Sequence, residues 1–403
     1  MKKTIKLAVV AALALGATSA FATNGSTLIG MGAKTRGMAG AGIGMAHGAE
    51  SALANPALIT SIEKDHEISF GGTLFMPDVE NAYGTGAASV KSDADMNVIP
   101  EVSIAGKVSD SFYAGVGIWG TAGMGTDYRS SAFNMNMVTN LQLMQFGVPL
   151  AYKTGGLSVA VTPILQYGSL DINYDMDGNP ANGVMGMGQA QDLAFGYNIG
   201  LSYELSDLTI GAVYKSKIDM EYKGFSTVVQ PFMNPGSTYT NNELSTPAEM
   251  GIGASYKLGG STLAVDYKRI KWSDAKGYKD FEWDDQNVLV VGYEYATNTW
   301  ALRAGYNYAS SPISEQSMMY NSAVGLNGLV INMFNLLGFP AIVESHYAVG
   351  GTYNISDMTS VDLAFTYAPE VTNTYSVPFG LGMTTMTTKH SQTGVSAQVN
   401  FAF

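Results

Sequence analysis

Apolar and polar residues alternate along most of the chain beyond residue 64. Segments of about 9 to 13 residues show a period of two, and stretches rich in Gly, Asp, Asn and Ser separate them. A strand points successive side chains to opposite faces, so the pattern predicts strands with one apolar and one polar face. Segments of this length are typical of strands that cross a membrane.

Fourteen such segments can be counted. An even number is expected when both ends of a closed antiparallel barrel lie on the same side, and closure leaves no unpaired strand edge in lipid. The sequence therefore predicts an all-β fold, a 14-stranded antiparallel transmembrane β-barrel. Its strands are expected near residues 65–76, 97–108, 111–120, 139–153, 156–170, 191–204, 207–221, 247–258, 261–272, 286–296, 299–309, 344–355, 359–368 and 391–403.

The connections between these segments alternate in length. Tight turns are predicted at 109–110, 154–155, 206, 259–260, 297–298 and 356–357. Long loops are predicted at 77–96, 121–138, 171–190, 222–246, 273–285, 310–343 and 369–390. In barrels of the Gram-negative outer membrane the short turns face the periplasm and the long loops face outward, so the pattern also gives the orientation.

The two ends of the chain agree with export to that membrane. Lys2, Lys3 and Lys6 precede an apolar run that is too short to span a bilayer, and Ala20-Phe21-Ala22 suits a signal peptidase. We therefore expect residues 1–22 to be a signal peptide and Thr23 to begin the mature chain. The last segment alternates and ends on an aromatic residue, Phe403, so we expect it to close the barrel and to be bound by the barrel assembly machinery.

Residues 23–64 differ from the rest. They show no clear alternation, and they carry seven glycines from Gly30 to Gly48. Their apolar surface is too small for an independent domain. The expected domains are therefore the signal peptide, a plug or hatch inside the lumen at 23–64, and the barrel at 65–403.

Composition narrows the possible partners. The formal net charge is −12, and loss of the signal lysines makes the mature chain more acidic, which argues against nucleic acid as a partner. Charged residues make up only 13% of the chain, as suits a wall surrounded by outer-membrane lipid and lipopolysaccharide. The chain has no cysteine, so disulfide and thiolate chemistry are excluded.

Two motifs in the hatch point to a family. Gly30–Gly42 reads GMGAKTRGMAGAG, and Ala49–Leu58 reads AESALANPAL. With these motifs the chain resembles the FadL/TodX family of outer-membrane transporters for hydrophobic compounds. Weaker similarity lies in Ser245–Gly251, Lys271–Ser273 and Leu302–Tyr306.

The resemblance implies a passive channel for long-chain fatty acids or other hydrophobic small molecules. Ligands would be captured by extracellular loops, passed to a lumen site and released sideways into the bilayer. Asn55, Pro56 and Ala57 correspond to the family's hatch motif. We expect a monomer without a cofactor.

The family's lateral exit lies at an inward kink of the third strand. Here the third predicted strand ends at Trp119-Gly120 and continues into Thr121–Gly125. Glycines can accommodate a bulge or kink, so Gly123 and Gly125 are the candidates for the exit.

Basic residues are candidates for binding a ligand carboxylate. Lys34 and Arg36 are the only Lys or Arg residues between Thr23 and Lys64, and the alternation places Arg303 in the lumen. The same alternation turns Lys257, Asp266, Lys268, Glu294 and Asp362 inward. The alternative is that these charges pair with one another, between wall and plug, rather than with a ligand.

A run of nineteen residues, Ala323–Ala341, has no charge. Its asparagines, glycines and Pro340 argue against a transmembrane helix, and a short helix near 327–337 in an extracellular loop is expected instead. An exposed apolar loop suggests a capture groove, with candidate lining residues Leu329, Met333, Phe334, Leu336, Leu337 and Phe339. Packing against the barrel rim or a second protomer is the alternative.

Other chemistry has little support. Asn173–Asn179 partly matches a calcium loop, but Val184 stands where the closing glutamate should be, so a polar turn is the preferred interpretation. His47, His66, His346 and His390 lie in no catalytic or metal-binding motif. We therefore expect no catalytic residues and no metal. A surface receptor or adhesin on the same barrel, and an outer-membrane hydrolase, are the alternative functions.

Overall fold

The computed structural model describes residues 23–175, 183–233, 236–317, 325–379 and 382–403. Within them, fourteen antiparallel strands form the wall of a barrel, which confirms the predicted fold class. The strands are β1 His66–Tyr83, β2 Asn97–Lys107, β3 Phe112–Asp127, β4 Val138–Gly147 with Leu150–Thr154, β5 Leu157–Tyr174, β6 Ala190–Leu205, β7 Leu208–Lys215, β8 Glu249–Leu258, β9 Ser261–Ile270, β10 Gln286–Ala296, β11 Trp300–Ala309, β12 Ser345–Ser356, β13 Thr359–Phe379 and β14 Gly382–Ala402.

Short elements complete the description. Two-residue strands lie at Thr23–Asn24, Thr27–Leu28, Val90–Lys91 and Met185–Gly186. Helical turns lie at Ala33–Gly37, Ser51–Ala54, Pro56–Ser61, Ala132–Asn134, Phe225–Val229, Gln230–Phe232, Trp272–Asp274, Tyr278–Phe281, Gly328–Met333 and Phe334–Gly338. None of the helices in the described part of the chain has the length and apolarity needed to cross a membrane.

The barrel closes between its first and last strands. β14 pairs with β1 from Met386 opposite Tyr83 down to Ala402 opposite Glu67. On β6, large apolar side chains such as Phe195 and Ile199 face outward, whereas Asn198 and Ser202 are buried inside. The period of two therefore separates a lipid-facing surface from a lumen.

Several element limits differ from the predicted ones. The predicted loops at 77–96 and 369–390 are partly strand, because β1 continues to Tyr83 and β13 and β14 form a tall hairpin. Their threonine-rich sequence favours strands but carries polar residues on both faces, so no apolar alternation marks it. The predicted strand at 207–221 ends at Lys215. β4 is interrupted before Leu150, since Pro149 cannot donate a ladder hydrogen bond.

Residues 23–62 lie inside the barrel, and wall glycines make room for their backbone. A Cβ on Gly305 of β11 would lie 2.3 Å from the carbonyl carbon of Met38, and one on Gly211 of β7 would lie 1.8 Å from the Ile43 carbonyl oxygen. Neither site could therefore carry a side chain without moving the hatch.

Polar side chains of the wall bind the hatch backbone. Asp266 of β9 accepts hydrogen bonds from the amides of Gly42, Ile43 and Gly44 at 2.7, 2.9 and 3.4 Å. Gln398 of β14 accepts one from the Ala33 amide at 3.1 Å. Three backbone donors stabilise the buried Asp266 carboxylate, and together with the Gln398 bond they fix the position of the hatch.

The extracellular end is filled by aromatic residues from the loops. Trp272, Tyr278 and Trp283 pack with ring centroids 4.6 to 5.0 Å apart, and Phe281 contacts Phe334 at 5.1 Å. All five side chains are buried. The outer mouth is therefore covered by a packed apolar layer above the hatch.

Gly305→Val tests whether backbone contact seats the hatch. The added side chain meets the Met38 backbone, and overpacking of this kind costs about 1–3 kcal/mol, so we expect a lower melting temperature and larger ion conductance in planar bilayers. Ala304→Val adds bulk on the adjacent, exposed position and should change neither measurement. Equal behaviour of the two variants would contradict the role assigned to Gly305.

Candidate transport pathway

The third strand leaves its neighbour part of the way along the wall. β2 and β3 pair from Lys107 opposite Tyr113 to Glu101 opposite Trp119, and among the described residues no pair continues beyond that point. β3 then shows a bulge between Gly120 and Ala122 in its pairing with β4. The bulge turns the strand inward, and the wall between β2 and β3 is left without ladder hydrogen bonds.

The displaced part of β3 pairs with the hatch instead. Ala122 is paired with Thr27, and the Gly123 amide donates to the Ser26 carbonyl at 3.1 Å. At its far end β3 rejoins the neighbouring loop, where the Asp93 amide donates to the Asp127 carbonyl at 2.9 Å. A gap in the wall is thereby framed below by the Glu101–Trp119 pair and above by the Asp93–Asp127 bond.

The predicted exit glycines lie within this displaced segment. Gly123 and Gly125 are both buried and follow the bulge, whereas the change of direction itself occurs at Gly120–Ala122. Their role in an exit stays a prediction. A bulge or kink was expected in this segment, but its position at Thr121 was not, because the register depends on pairing with the hatch, which no local pattern shows.

An apolar cavity of about 80 Å³ lies between the hatch and the displaced segment; we refer to it as the lumen cavity. The hatch contributes Thr27–Met31, and β3 contributes Thr121 and Ala122. On the opposite side it reaches the outer ends of β7, β8 and β9. The cavity therefore adjoins both the gap and the part of the hatch that pairs with β3.

Two lysines and one glutamate form the charged end of the lumen cavity. Lys215 Nζ lies 3.0 Å from Glu249 Oε1, and Lys268 Nζ lies 3.8 Å from Glu249 Oε2. Glu249 and Lys268 are buried. These three side chains together carry one positive charge in excess at the edge of an apolar space, and the Asp266 carboxylate, which is bound by the hatch amides, also interacts with Lys268. Lys268 was predicted to face inward, whereas Lys215 and Glu249, at the ends of their strands, were not recognised.

Arg303 and Lys34 lie on the other side of the hatch. They line a polar vestibule of about 600 Å³ that is bounded by the periplasmic turns near Asn298 and Asp357. Arg303 Nη2 lies 2.6 Å from Glu294 Oε2, and Arg303 Nη1 donates to Thr352 Oγ1 at 2.7 Å. Arg303 therefore pairs with other residues of the wall, as the alternative interpretation of the inward charges expected. It does not line the lumen cavity.

Lys34 faces carboxylates as well. Its Nζ lies 4.0 Å from Glu67 Oε1. Burial opposes the charge of Lys34, but the carboxylates of Asp362, Glu67 and Glu50 outweigh it and raise the pKa of the ammonium. Lys34 is therefore charged and neutralised by its surroundings.

Arg36 is fully buried within the hatch and lines neither the lumen cavity nor the vestibule. Burial lowers the pKa of its guanidinium, and the carboxylates of Glu101 and Glu50 oppose that effect. None of its three side-chain nitrogens has a hydrogen-bond partner among the described residues. A ligand could reach Arg36 only after the hatch moved.

The hatch motif forms a corner. Asn55 Nδ2 donates to the carbonyls of Ile43 at 2.8 Å and of Leu201 on β6 at 3.1 Å, and its Oδ1 accepts from the Ala57 amide at 3.1 Å. Pro56 begins the helical turn that follows. One asparagine therefore ties two hatch segments to the wall.

The segment predicted as a capture groove is not exposed, so the expected exposed apolar surface was wrong, and a role of these residues in ligand capture stays a prediction. Leu329, Met333, Phe334, Leu336 and Leu337 are buried, and Phe339 is half-buried against the core. Wall hydroxyls bind the segment, since Thr126, Thr139 and Thr388 donate to the carbonyls of Leu337, Gly338 and Leu336. The segment packs inside the barrel rim because burial there removes its apolar surface from water. A helix does occupy residues 328–338.

Two further expectations are resolved by position. Lys257 lies on the same face of β8 as the buried Ser255, but its side chain is exposed because it stands at the periplasmic end of the strand. His346 and His390, far apart in sequence, are brought together on either side of Gln392.

The calcium-like segment Asn173–Asn179 lies largely outside the described residues. In the part of the chain that the structure describes, no group of three or more His, Asp or Glu side chains could hold a metal ion.

Comparison with known proteins assigns the family. Residues 8–320 match the model of the family described as outer membrane protein transport protein (OMPP1/FadL/TodX). The chain belongs to this family of outer-membrane transport proteins.

Individual relatives are distant. The 47 kDa outer membrane protein of Pasteurella multocida is 24% identical, over 90% of this chain and 92% of its own. The crystal structure of a Pseudomonas aeruginosa FadL homologue aligns with a TM-score of 0.70 at 16% identity, covering 94% of this chain and all of that one. The Pseudomonas putida toluene transporter TodX aligns with a TM-score of 0.67 at 18% identity, covering 93% and 99%. At these identities the structural likeness shows the fold.

Arg303→Met tests the structural role of the vestibule charges. The change leaves Glu294 and Asp362 without their cation, and breaking a buried pair in this way costs about 3–5 kcal/mol, so we expect a clear loss of thermal stability. Lys153→Met removes the partly exposed partner of Glu204 and should cost less than about 1 kcal/mol. Thermal melting of the purified variants measures both; equal losses would contradict the assignment.

Proposed function

We propose that this chain is a passive channel for amphipathic hydrophobic molecules, which leave the lumen sideways through the gap between β2 and β3. The observation that carries the proposal is the loss of β2–β3 pairing beyond Glu101 and Trp119. A hydrophobic solute gains free energy on reaching the hydrocarbon layer, so no energy source is needed once a route exists.

The proposed route has three steps. A ligand passes the extracellular apolar layer, occupies the lumen cavity, and displaces the first residues of the hatch from β3. The pairing that must break is small, namely Thr27 with Ala122 and the Ser26 carbonyl with the Gly123 amide. The rest of the hatch stays in place, because Asp266, Asn55 and the wall glycines hold it.

The chain belongs to a family of outer-membrane transport proteins, and this membership supports transport over the hydrolase alternative. The adhesin alternative relied on an exposed apolar loop, and the residues proposed for that contact are buried. Transport is therefore the function that the described residues support best.

Deletion of Thr121 tests the exit. Removing the bulge residue should let β3 run straight and pair with β2, which closes the gap. We expect uptake of labelled oleate by whole cells to fall to the level of cells lacking the gene.

Deletion of Ile355 provides the matched control. It removes the register shift between Asn354 and Ser356 at the periplasmic end of β12, far from the gap, and should leave uptake unchanged. Normal uptake by the Thr121 deletion, with the variant present in the outer membrane, would exclude the proposed exit.

The charged end of the lumen cavity suggests a carboxylate among the ligands. Lys268→Met removes the excess charge and leaves the closer Lys215–Glu249 pair intact. A hydrogen bond to a charged group is worth about 1.5–3 kcal/mol, so we expect roughly tenfold or greater loss of affinity for a fatty acid. Binding of a neutral hydrocarbon of similar size should not change.

Lys268→Arg is the control, because it keeps the charge. Fluorescence displacement on purified protein measures acid and hydrocarbon separately. If Lys268→Met lowered the affinity for the acid and for the hydrocarbon equally, Lys268 would contribute only to the shape of the cavity. A preference for carboxylates would then be excluded.

A further inference from the structure

A buried hydrogen-bond network joins three parts of the molecule near the outer end of the lumen. The Thr23 amide, at the start of the hatch, donates to Gln392 Oε1 at 3.2 Å. Gln392 lies on β14, and its Nε2 lies 3.2 Å from His390 Nε2. His390 Nδ1 lies 2.8 Å from the carbonyl oxygen of Pro340, in the extracellular apolar segment. His346 of β12 completes the network, with Nε2 3.1 Å from Gln392 Oε1.

The donor and acceptor roles in this network are fixed by chemistry. The Pro340 oxygen can only accept, so His390 Nδ1 carries a hydrogen. Gln392 Nε2 can only donate, so His390 Nε2 must accept, and His390 is neutral. Gln392 Oε1 then accepts from both His346 Nε2 and the Thr23 amide.

Protonation of His390 reverses these roles. Both ring nitrogens would then donate, and His390 Nε2 would face the Gln392 amino group. The conflict is removed if the Gln392 amide rotates and presents its oxygen to His390. Its amino group would then face His346 and Thr23.

Only one of those two neighbours can adapt. His346 can move its hydrogen to Nδ1, which is buried without a partner, and accept through Nε2. The Thr23 nitrogen carries only donors, both as a backbone amide and as the ammonium group of a chain processed after Ala22. A buried donor facing a donor is costly, so Thr23 would be expelled.

We propose that His390 and Gln392 position the first residues of the hatch and release them when His390 takes up a proton. Movement of Pro340 has the same effect, since His390 Nδ1 then loses the acceptor that fixes its tautomer. The network thus connects the extracellular segment to the hatch residues that pair with β3. Use of this release in transport rests on the proposed function, whereas the release itself does not.

Charged groups around the network are few. Burial of the ring opposes protonation of His390, whereas the bond to the Pro340 carbonyl and the Asp78 carboxylate of β1 favour the imidazolium form. His346 is the other titratable side chain acting there, and its protonation would oppose that of His390. The hatch contributes Thr23, whose nitrogen is a titratable α-amino group in a chain processed after Ala22, and Asn24 beside it is buried and uncharged.

Hydrogen exchange of purified, ligand-free protein tests the proposal. Peptides covering residues 23–31 are followed by mass spectrometry between about pH 7.5 and about pH 4, because burial opposes protonation of His390, with labelling times corrected for the intrinsic effect of pH. We expect exchange at Thr23–Leu28 to accelerate by about tenfold or more on acidification, with little change at the Asp266-bound residues 42–44.

His390→Gln should abolish the acid response, because an amide can accept from Gln392 and donate to Pro340 without titrating. His346→Gln is the matched control and should still release the hatch in acid. Gln392→Glu provides a second route, since a carboxylate has no amino group to present and should hold Thr23 at both pH values.

Three results would overturn the proposal. They are an absence of acid release in the unmodified protein, a normal release in His390→Gln, and a normal release in Gln392→Glu. Because no ligand is present, a failure here is distinct from a failure of uptake through the β2–β3 gap.

Discussion

Direct contact between the hatch backbone and the glycines of the wall is the constraint on which the rest of the structure depends. At Gly211 and Gly305 the hatch approaches so closely that a side chain has no space. Asp266 accepts three further hydrogen bonds from the hatch backbone in the same region. The hatch consequently divides the lumen into the polar vestibule on its periplasmic side and the lumen cavity on its outer side, beside the displaced part of β3. The first residues of the hatch, by contrast, are held by few bonds, and the gap in the wall lies next to them.

The two sides of the hatch differ in chemistry, and this difference separates structural charges from those available to a ligand. Toward the periplasm, Arg303 and Lys34 are engaged by carboxylates around a polar vestibule. Toward the exterior, the lumen cavity is apolar and ends at the positively charged group around Glu249. A hydrophobic acid is therefore matched by the outer side alone. Sequence alternation shows that a charge points inward but not which side of the plug it faces.

Much of the barrel could be predicted from sequence because lipid imposes a strict rule on each strand. On β6, the alternation of residues such as Phe195 and Asn198 is decisive. The β13–β14 hairpin extends beyond the region where that rule applies, so its threonines gave no signal. The apolar segment around Phe334 was misjudged because composition does not distinguish a surface that binds a ligand from one that packs against its own rim. The bulge at Thr121 and the approach of His346 to His390 depend on contacts between distant segments, which no local pattern encodes.

The contacts of the closing strand bear on how the molecule is built. Gln398 of β14 binds the hatch through Ala33 and Glu50, while the backbone of β14 pairs with β1. A segment that precedes the barrel in sequence is thus held by the strand that closes it. A barrel closed around an empty lumen would leave buried wall groups such as Gln398 and Asp266 without their partners in the hatch. The hatch must therefore enter the lumen before β14 pairs with β1. Closure of the barrel and placement of the hatch then belong to the same folding step.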